Sequence, residues 1–286
     1  MPLGRNSYGK SGIRIVTVAR RDGIHHVRDR TVAVRFEGEF GAAHVSGDNS
    51  SVLPTDTMKN TVYALAKEHG AGEMEEFGLA LSGHFLRENP QVSRVEISSE
   101  ERAWERISPT AFQGSSNERR TSLVSRSRGD VAVESGLKDL LILKSAQSGF
   151  TGFKRDRYTT LKETTDRILA TSLTAVWSHA SPAGPFAGSW EGVRRTLLET
   201  FAAHDSASVQ HTLYAMGEAV LAGHPDLSWI RLTMPNKHHL LVDLSPFGLK
   251  NENEVFVATE EPFGLIEATV ERNVHVNQEG DKGGRA

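Results

Sequence analysis

Asn49-Ser50-Ser51-Val52-Leu53-Pro54-Thr55-Asp56-Thr57-Met58-Lys59-Asn60-Thr61-Val62-Tyr63 reads as a loop entering a helix. Thr55 suits the N-cap, because its hydroxyl can accept from the first free backbone N–H groups. Asp56 suits the positive end of the helix dipole, and Met58, Val62 and Leu65 fall on one apolar stripe. Taken alone, this is a capped amphipathic helix on a core, spanning Thr55 to His69 and stopped by Gly70. Its flanks give it a fold. Upstream, Gly12 to Arg20 is β-rich, Arg21-Asp22-Gly23 is a hairpin signal, and a return strand carries Val32, Val34 and Phe36 on one face. A small, polar loop, Gly41 to Ser51, leads into the helix. Downstream, a second helix spans Glu73 to Glu88, with Phe77, Leu81 and Phe85 on one side, and Asn89-Pro90 ends it. Val92 to Ile107 and Thr121 to Val133 read as strands around a loop, Ser108 to Glu118. The order is strand, strand, helix, helix, strand, strand.

That order repeats. Leu137 to Lys144 is strand-like, a polar linking segment runs from Ser145 to Asp166, and Ile168 to Trp177 is the next strand. After a proline-containing connector, Ser189 is placed to cap a helix bearing Val193, Leu197 and Phe201. Ser206 or Ser208 caps another, bearing Val209, Leu213, Met216 and Val220. Leu227 to Leu232 and His239 to Leu244 read as strands around Pro235-Asn236, and Val255 to Ala258 and Leu265 to Val270 as short strands. The halves share no clear word-level identity, so the repeat is architectural. The expectation is an α+β protein of two tandem ββααββ domains, residues 1–136 and 137–286, with antiparallel sheets and helices on one face. Such sheets leave open edges, which closure into an oligomeric barrel would remove.

Composition narrows the functional classes. The 286 residues are 38% apolar and 24% charged, with a net charge of -3. That is a globular balance with no basic excess of the kind nucleic acid attracts. There is no cysteine, which rules out disulfides, thiolate nucleophiles and cysteine-ligated metals. No window has the length of a membrane span. Met1 to Arg5 lacks the apolar core of a signal peptide, and the polar end, Lys282 to Ala286, lacks a peroxisomal tripeptide. A bacterial-type cytoplasm is the expected location.

Several residues admit two readings. Lys10, in Tyr8-Gly9-Lys10, is either a solvated lysine or a base, since a lysine in a dry site gives up its proton readily. Phe150, Phe153, Arg155 and Arg167 surround Tyr158-Thr159-Thr160-Leu161-Lys162-Glu163-Thr164. This is either a self-packed basic, aromatic loop or a platform where a phenylalanine stacks on a planar anion and an arginine fork grips its edge. Ser208-Val209-Gln210 is a helix cap, or an anion site with a glutamine amide for an amide-like ring edge. The histidine pairs His25-His26 and His238-His239 lack partners with ligand spacing, so no metal is expected. A proton shuttle is the better use of one of them. No Gly-x-Gly-x-x-Gly segment opens a helix, so no flavin fingerprint is present.

Together, Tyr8-Gly9-Lys10, Thr55-Asp56 with Lys59-Asn60-Thr61, Phe150-Thr151-Gly152-Phe153, Tyr158 to Thr164 with Asp166-Arg167, Ser208-Val209-Gln210 and Pro235-Asn236-Lys237-His238 resemble, in order, segments of the urate oxidase (uricase) family. The resemblance covers nearly the whole chain. It implies two tunnelling-fold domains per subunit and a homotetrameric barrel with active sites between subunits. It implies oxidation of urate by dioxygen, without cofactor or metal, to 5-hydroxyisourate and hydrogen peroxide. By position, Lys10 and Thr55 would come from one subunit, and Phe150, Arg167, Val209, Gln210, Asn236 and His238 from its neighbour. The resemblance gives Arg167 and Gln210 the purine edges and Phe150 the stacking face. The N–H groups of Val209 and Asp56 complete the outline. Lys10, Thr55 and His238 relay protons, and Asn236 and Thr55 hold dioxygen or water. Thr151 and Pro54 depart from the pattern without removing a functional group. Two alternatives stand beside this one: a tunnelling-fold enzyme acting on a pterin or purine nucleotide, and a non-catalytic purine-binding protein. The first often uses zinc with cysteine, absent here. The second could discard Lys10 and His238, which are present.

Overall fold

The computed structural model describes residues 1–272; the polar end, Lys282 to Ala286, lies outside the described residues. Strands β1 (Tyr8–Arg21) and β2 (Ile24–Gly38) form the first hairpin, and helices α1 (Gly41–Val45), α2 (Thr55–His69) and α3 (Met74–Glu88) follow. Then come β3 (Val92–Arg106), β4 (Phe112–Ser127), β5 (Val131–Lys144) and β6 (Leu169–His179). Helices α4 (Phe186–Ala203) and α5 (Val209–Gly223) precede β7 (Leu227–Lys237), β8 (His239–Leu241), β9 (Phe256–Ala258) and β10 (Gly264–Glu271). One eight-stranded sheet takes the order β1-β2-β3-β4-β5-β6-β7-β10, and β8 pairs with β9 in a separate ribbon. Every pairing between these strands is antiparallel. No helix among the described residues is long and apolar enough to cross a membrane.

Alternation along the strands gives the sheet one apolar face. Val32, Val34 and Phe36 of β2 and Val95 and Ile97 of β3 are buried against Met58 and Val62 of α2 and Phe77, Leu81 and Phe85 of α3. A second core gathers Leu173, Ala175 and Trp177 of β6 and Ile230, Leu232 and Met234 of β7 under Val193 and Leu197 of α4 and Leu213 and Met216 of α5. Val133 belongs to the first core and Leu137 to the second. The two share a parity on β5, so both helix layers lie on the same side of the sheet.

A buried polar seam joins the two layers. Glu75, fully buried, accepts from Arg120 Nη2 at 2.8 Å and from Ser135 Oγ at 2.5 Å. Glu73 also takes Arg120 and reaches Arg28. Glu118 on β4 holds Arg194 on α4 with two contacts at 2.7 and 2.8 Å. A buried carboxylate survives desolvation only when paired and hydrogen-bonded in this way.

Several expectations are corrected. The α2 cap position is held by Pro54, with no side-chain cap bond, and Thr55 is the first helical residue. Pro54 supplies the extended backbone there (φ -55°, ψ 136°). Gly70 does end α2, but in right-handed geometry; its lack of a side chain matters because a Cβ would stand 2.5 Å from Ala66 O. The Gly41–Ser51 loop contains α1. The Ser108–Glu118 loop is mostly strand, since β4 begins at Phe112 and pairs with Arg106. The strand expected over 121–133 is two strands that turn at 128–130. Ser189 lies inside α4, which Pro185 opens. Pro235 and Asn236 lie within β7, whose ladder to β6 skips Met234 and Pro235, as a residue without an N–H requires. β8 ends at Leu241, short of Leu244.

Candidate active site

The linking segment between β5 and β6 has no regular structure and is pinned at a few points. Phe150 and Thr164 exchange backbone bonds at 2.7 and 3.1 Å. Thr164 Oγ1 donates to Asp166 O at 2.6 Å. The Phe150 and Phe153 rings stack at 4.9 Å, and the Arg167 guanidinium stands 5.2 Å from the Phe150 centroid. Among the described residues no carboxylate pairs with Arg167, and its buried Nε has no partner. Burial alone disfavours its charge.

Facing this wall is the start of α5. Here the expected cap forms: Ser208 Oγ accepts from His211 N at 3.1 Å. The N–H groups of Val209 and Gln210 belong to the unsatisfied first turn, and the helix dipole points its positive end outward. Asn236 is fixed on both sides by the sheet, opposite Thr171 of β6 and Gly264 of β10. His238 follows at the root of the β8–β9 ribbon, where its carbonyl accepts from Thr259 N at 2.9 Å.

Phe150, Arg167, Val209, Gln210, Asn236 and His238 thus line one cleft of about 370 Å³. That volume suits a small ligand. Leu161, Lys162 and His239, which lie in segments read from the sequence without a role of their own, line it too; Leu240, Leu241 and Ile266 also line it and were not expected. Nothing local marks Ile266 or the ribbon residues, which enter through β7–β10 and β8–β9 pairing. Lys162 lies inside the recognised segment and could have been found as a second cation for an anionic ligand.

Lys10, Thr55 and Asp56 are elsewhere. Tyr8 OH accepts from Leu53 N at 2.9 Å, which draws the loop before α2 onto β1. Lys59 pairs with Asp56 Oδ1, and Asn60 Nδ2 donates to Oδ2 at 3.1 Å. Asp56 is held below the usual carboxylate range, chiefly by Lys59, with smaller contributions from Asn60 and then Lys10. The Asp56-x-x-Lys59-Asn60 spacing therefore ties up the carboxylate and leaves the Asp56 backbone at the exposed helix start. A bulge with Gly12 at φ +71° breaks the β1 ladder just past Lys10, a backbone that favours glycine. Six inter-strand steps separate β1 from β7, about 29 Å along the sheet at about 4.8 Å per step. Among the described residues no group of three or more histidines and carboxylates could hold a metal.

Two side-by-side ββααββ units on one antiparallel sheet, with an anion-receptive cleft beside the second unit's outer strands, define a tunnelling-fold protein. The uricase family model matches residues 6–127 and 133–267. Uricase from Arthrobacter globiformis is 44% identical over 272 residues, covering 94% of this chain and 90% of that protein. Uricase from Dictyostelium discoideum is 38% identical over 277 residues, covering 94% and 96%. The crystal structure of the Arthrobacter globiformis uricase superposes with a TM-score of 0.93 at 43% identity, covering 100% and 97% of the two chains. The urate oxidase of Bacillus sp. TB-90 shares the fold at a TM-score of 0.81 and 22% identity. The chain belongs to the uricase family.

Proposed function

We propose that the protein oxidises urate with dioxygen to 5-hydroxyisourate and hydrogen peroxide. The observation that carries this reading is Arg167: a half-buried guanidinium without a carboxylate partner among the described residues, set against a phenylalanine ring and opposite a helix N-terminus. Such a group calls for an anion, and the ring calls for a planar one. Arg167 and Gln210 take opposite edges of the purine, Phe150 stacks on its face, and the Val209 N–H faces an anionic oxygen. Asn236 and His238 close the cleft beside the ring.

Urate is electron-rich enough to reduce dioxygen directly once a proton has left it. The protein then has to bind the anion, take the proton and place the oxidant, a reading that calls for no cofactor. Lys10, Thr55 and His238 serve as the proton relay, and Thr55 with Asn236 holds dioxygen or water. A neighbouring subunit supplies Lys10, Thr55 and the Asp56 N–H. Antiparallel pairing of its edge strand β1 with the edge strand β10 would carry them toward the cleft and close the sheet edges. A homotetramer in the cytoplasm is the assembly we propose, with each chain divided at 136/137, where β5 passes from one core to the other.

The test is loss of urate absorbance with stoichiometric peroxide release in metal-free buffer containing chelator. Urate binding without turnover would overturn the enzymatic reading and leave a purine-binding protein. Activity that returns only on adding a metal would overturn the cofactor-free one.

A further inference from the structure

The two walls of the cleft share no regular element. Phe150 and Arg167 lie on the linking segment, whereas Val209 and Gln210 open α5, so no ladder fixes the distance between them. A small clasp does. Ser206 N–H donates to Gln147 O at 2.9 Å, and Gly149 N–H donates to Ser206 O at 2.8 Å. Ser148 and Ser206 thereby form a parallel bridge. Ser206 Oγ donates to Ser208 O at 3.0 Å, so the cap carbonyl accepts twice, the other donor being Thr212 N at 3.1 Å. On the opposite side Asp166 Oδ1 accepts from Ser148 N at 3.2 Å, next to Arg167.

The backbone is shaped to make this clasp. Gln147 adopts φ +60°, uncommon outside glycine. A Cβ on Gly149 would stand 3.0 Å from Thr165 O. Ser148 and Ser206 are each 1% exposed, so these bonds are shielded from water and leave their groups unpaired if broken. The run Arg167–Asp166–Ser148–Gly149–Ser206–Ser208–Val209 is continuous, by chain or by hydrogen bond, from one wall to the other.

We propose that Ser206 is a positioning residue for the purine, its hydroxyl fixing the α5 N-terminus against the Phe150–Arg167 wall. Ser206 does not line the cleft; it acts through Val209 and Gln210. The inference rests on the reading of this cleft as the urate site.

The test compares Ser206→Ala, Asp166→Ala and Asp166→Asn in the full assembled protein. The readouts are urate kcat and KM, affinity for xanthine (a purine without the 8-oxo group), and the melting temperature. Ser206→Ala is expected to raise KM and the xanthine Kd together by roughly five-fold, the size of one hydrogen bond, with kcat changed less. Asp166 is exposed, so its variants remain informative if Ser206→Ala fails to fold. Asp166→Ala should shift KM in the same direction, while Asp166→Asn, which keeps an oxygen acceptor for Ser148, should stay near wild type. A lower melting temperature with unchanged KM and xanthine affinity would make the clasp merely structural and overturn the proposal. So would Asp166→Asn as impaired as Asp166→Ala. Wild-type protein that neither consumes urate nor binds xanthine would instead sink the functional reading beneath it.

Discussion

The Arg167 guanidinium stands 5.2 Å from the centroid of the Phe150 ring, on a segment that has no helix or strand of its own. This cation–π contact holds the fork without consuming any of its hydrogen-bond donors. A carboxylate partner would have taken the donors that an anionic ligand needs, so the ring supports the guanidinium and leaves it receptive.

Arg167→Lys therefore removes a planar fork while keeping the charge. Urate binding should weaken by about 1.5–3 kcal/mol, the usual worth of a charge-assisted hydrogen bond. Steady-state kinetics and xanthine titration check this, and unchanged KM and kcat would show that Arg167 does not touch the substrate.

The seam between the two helix layers predicts a pH dependence of stability. Ser135 spends its one proton on Glu75, so it accepts from His179 Nε2–H at 2.9 Å. Burial lowers the His179 pKa, and Arg120 adds to that; Glu75 and Asp226 oppose it. Below the ordinary histidine value, about 6.5, the unfolded chain takes up a proton that the folded chain resists. Stability is thus fully present above that pH and falls as pH drops toward the lowered folded value. His204, also lowered by burial first, acts in the same direction. Urea midpoints between pH 7.5 and about 5 should decline in wild type and decline less in His179→Gln, the remainder belonging to His204 and the carboxylates. An identical slope in the variant would clear His179 of the role.

Glu75 anchors the same seam. Glu75→Ala leaves the Arg120 charge largely buried, with Glu73 as its one remaining carboxylate partner among the described residues. Breaking a buried pair from one side typically costs about 3–5 kcal/mol. Denaturation at fixed protein concentration, which holds the assembly equilibrium constant, measures it. A loss below about 1 kcal/mol, the range of exposed pairs, would mean that the seam is solvated.

Local chemistry made part of this molecule legible. The extent of α2 was legible although its cap was not, since Pro54 and not Thr55 holds the cap position; the α5 cap follows from Ser208, and the helix faces from period alone. Tertiary pairing hid the rest. Gln113, Gly114, Ser115 and Asn117 are poor strand formers, yet β4 begins before them because Trp104 to Arg106 offer a ladder. Arg128-Gly129-Asp130 is a turn set between two apolar runs that read as one. Pro235 looked like a strand breaker, but the ladder to β6 pauses there while the pairing to β10 continues. In the cleft, the linking segment was visible because its phenylalanines and arginines together suit a planar anion, a ring for the face and a fork for the edge. Ile266, Leu240 and Leu241 were not, since an apolar residue on a short strand carries no mark of what it faces.

Lys10 and Thr55, read as parts of one relay, should lose activity non-additively. Lys10→Met should cost roughly 10²–10⁴-fold in kcat, the usual contribution of a positioned acid or base. Adding Thr55→Ala should cost little more, because members of a unit are not independent. Xanthine affinity should survive in both, since Phe150, Arg167 and Gln210 are untouched. Losses that multiply in the cycle would show two residues acting separately.

The separation of Lys10 from the cleft allows a stricter test of how the site is assembled. Lys10 lies on the outermost strand, β1, and Asn236 on β7, one strand in from the opposite edge. If a second chain supplies Lys10, then Lys10→Met damages one side of an interface and Arg167→Ala the other. A chain carrying only Lys10→Met keeps a sound Arg167, and a chain carrying only Arg167→Ala keeps a sound Lys10. Co-expression of the two should form mixed oligomers in which some sites receive both intact residues. With random pairing across the interface, about a quarter of the sites are whole, so activity should recover to about a quarter of wild type from two nearly inactive parents. Mixing the purified parents without subunit exchange should recover nothing, which serves as the control. A chain that builds its own site would give no recovery under co-expression either, because every chain would carry a lesion in its own site. Sedimentation should accompany the assay and show a single species near four chains at micromolar concentration. An active monomer would sink the shared site directly.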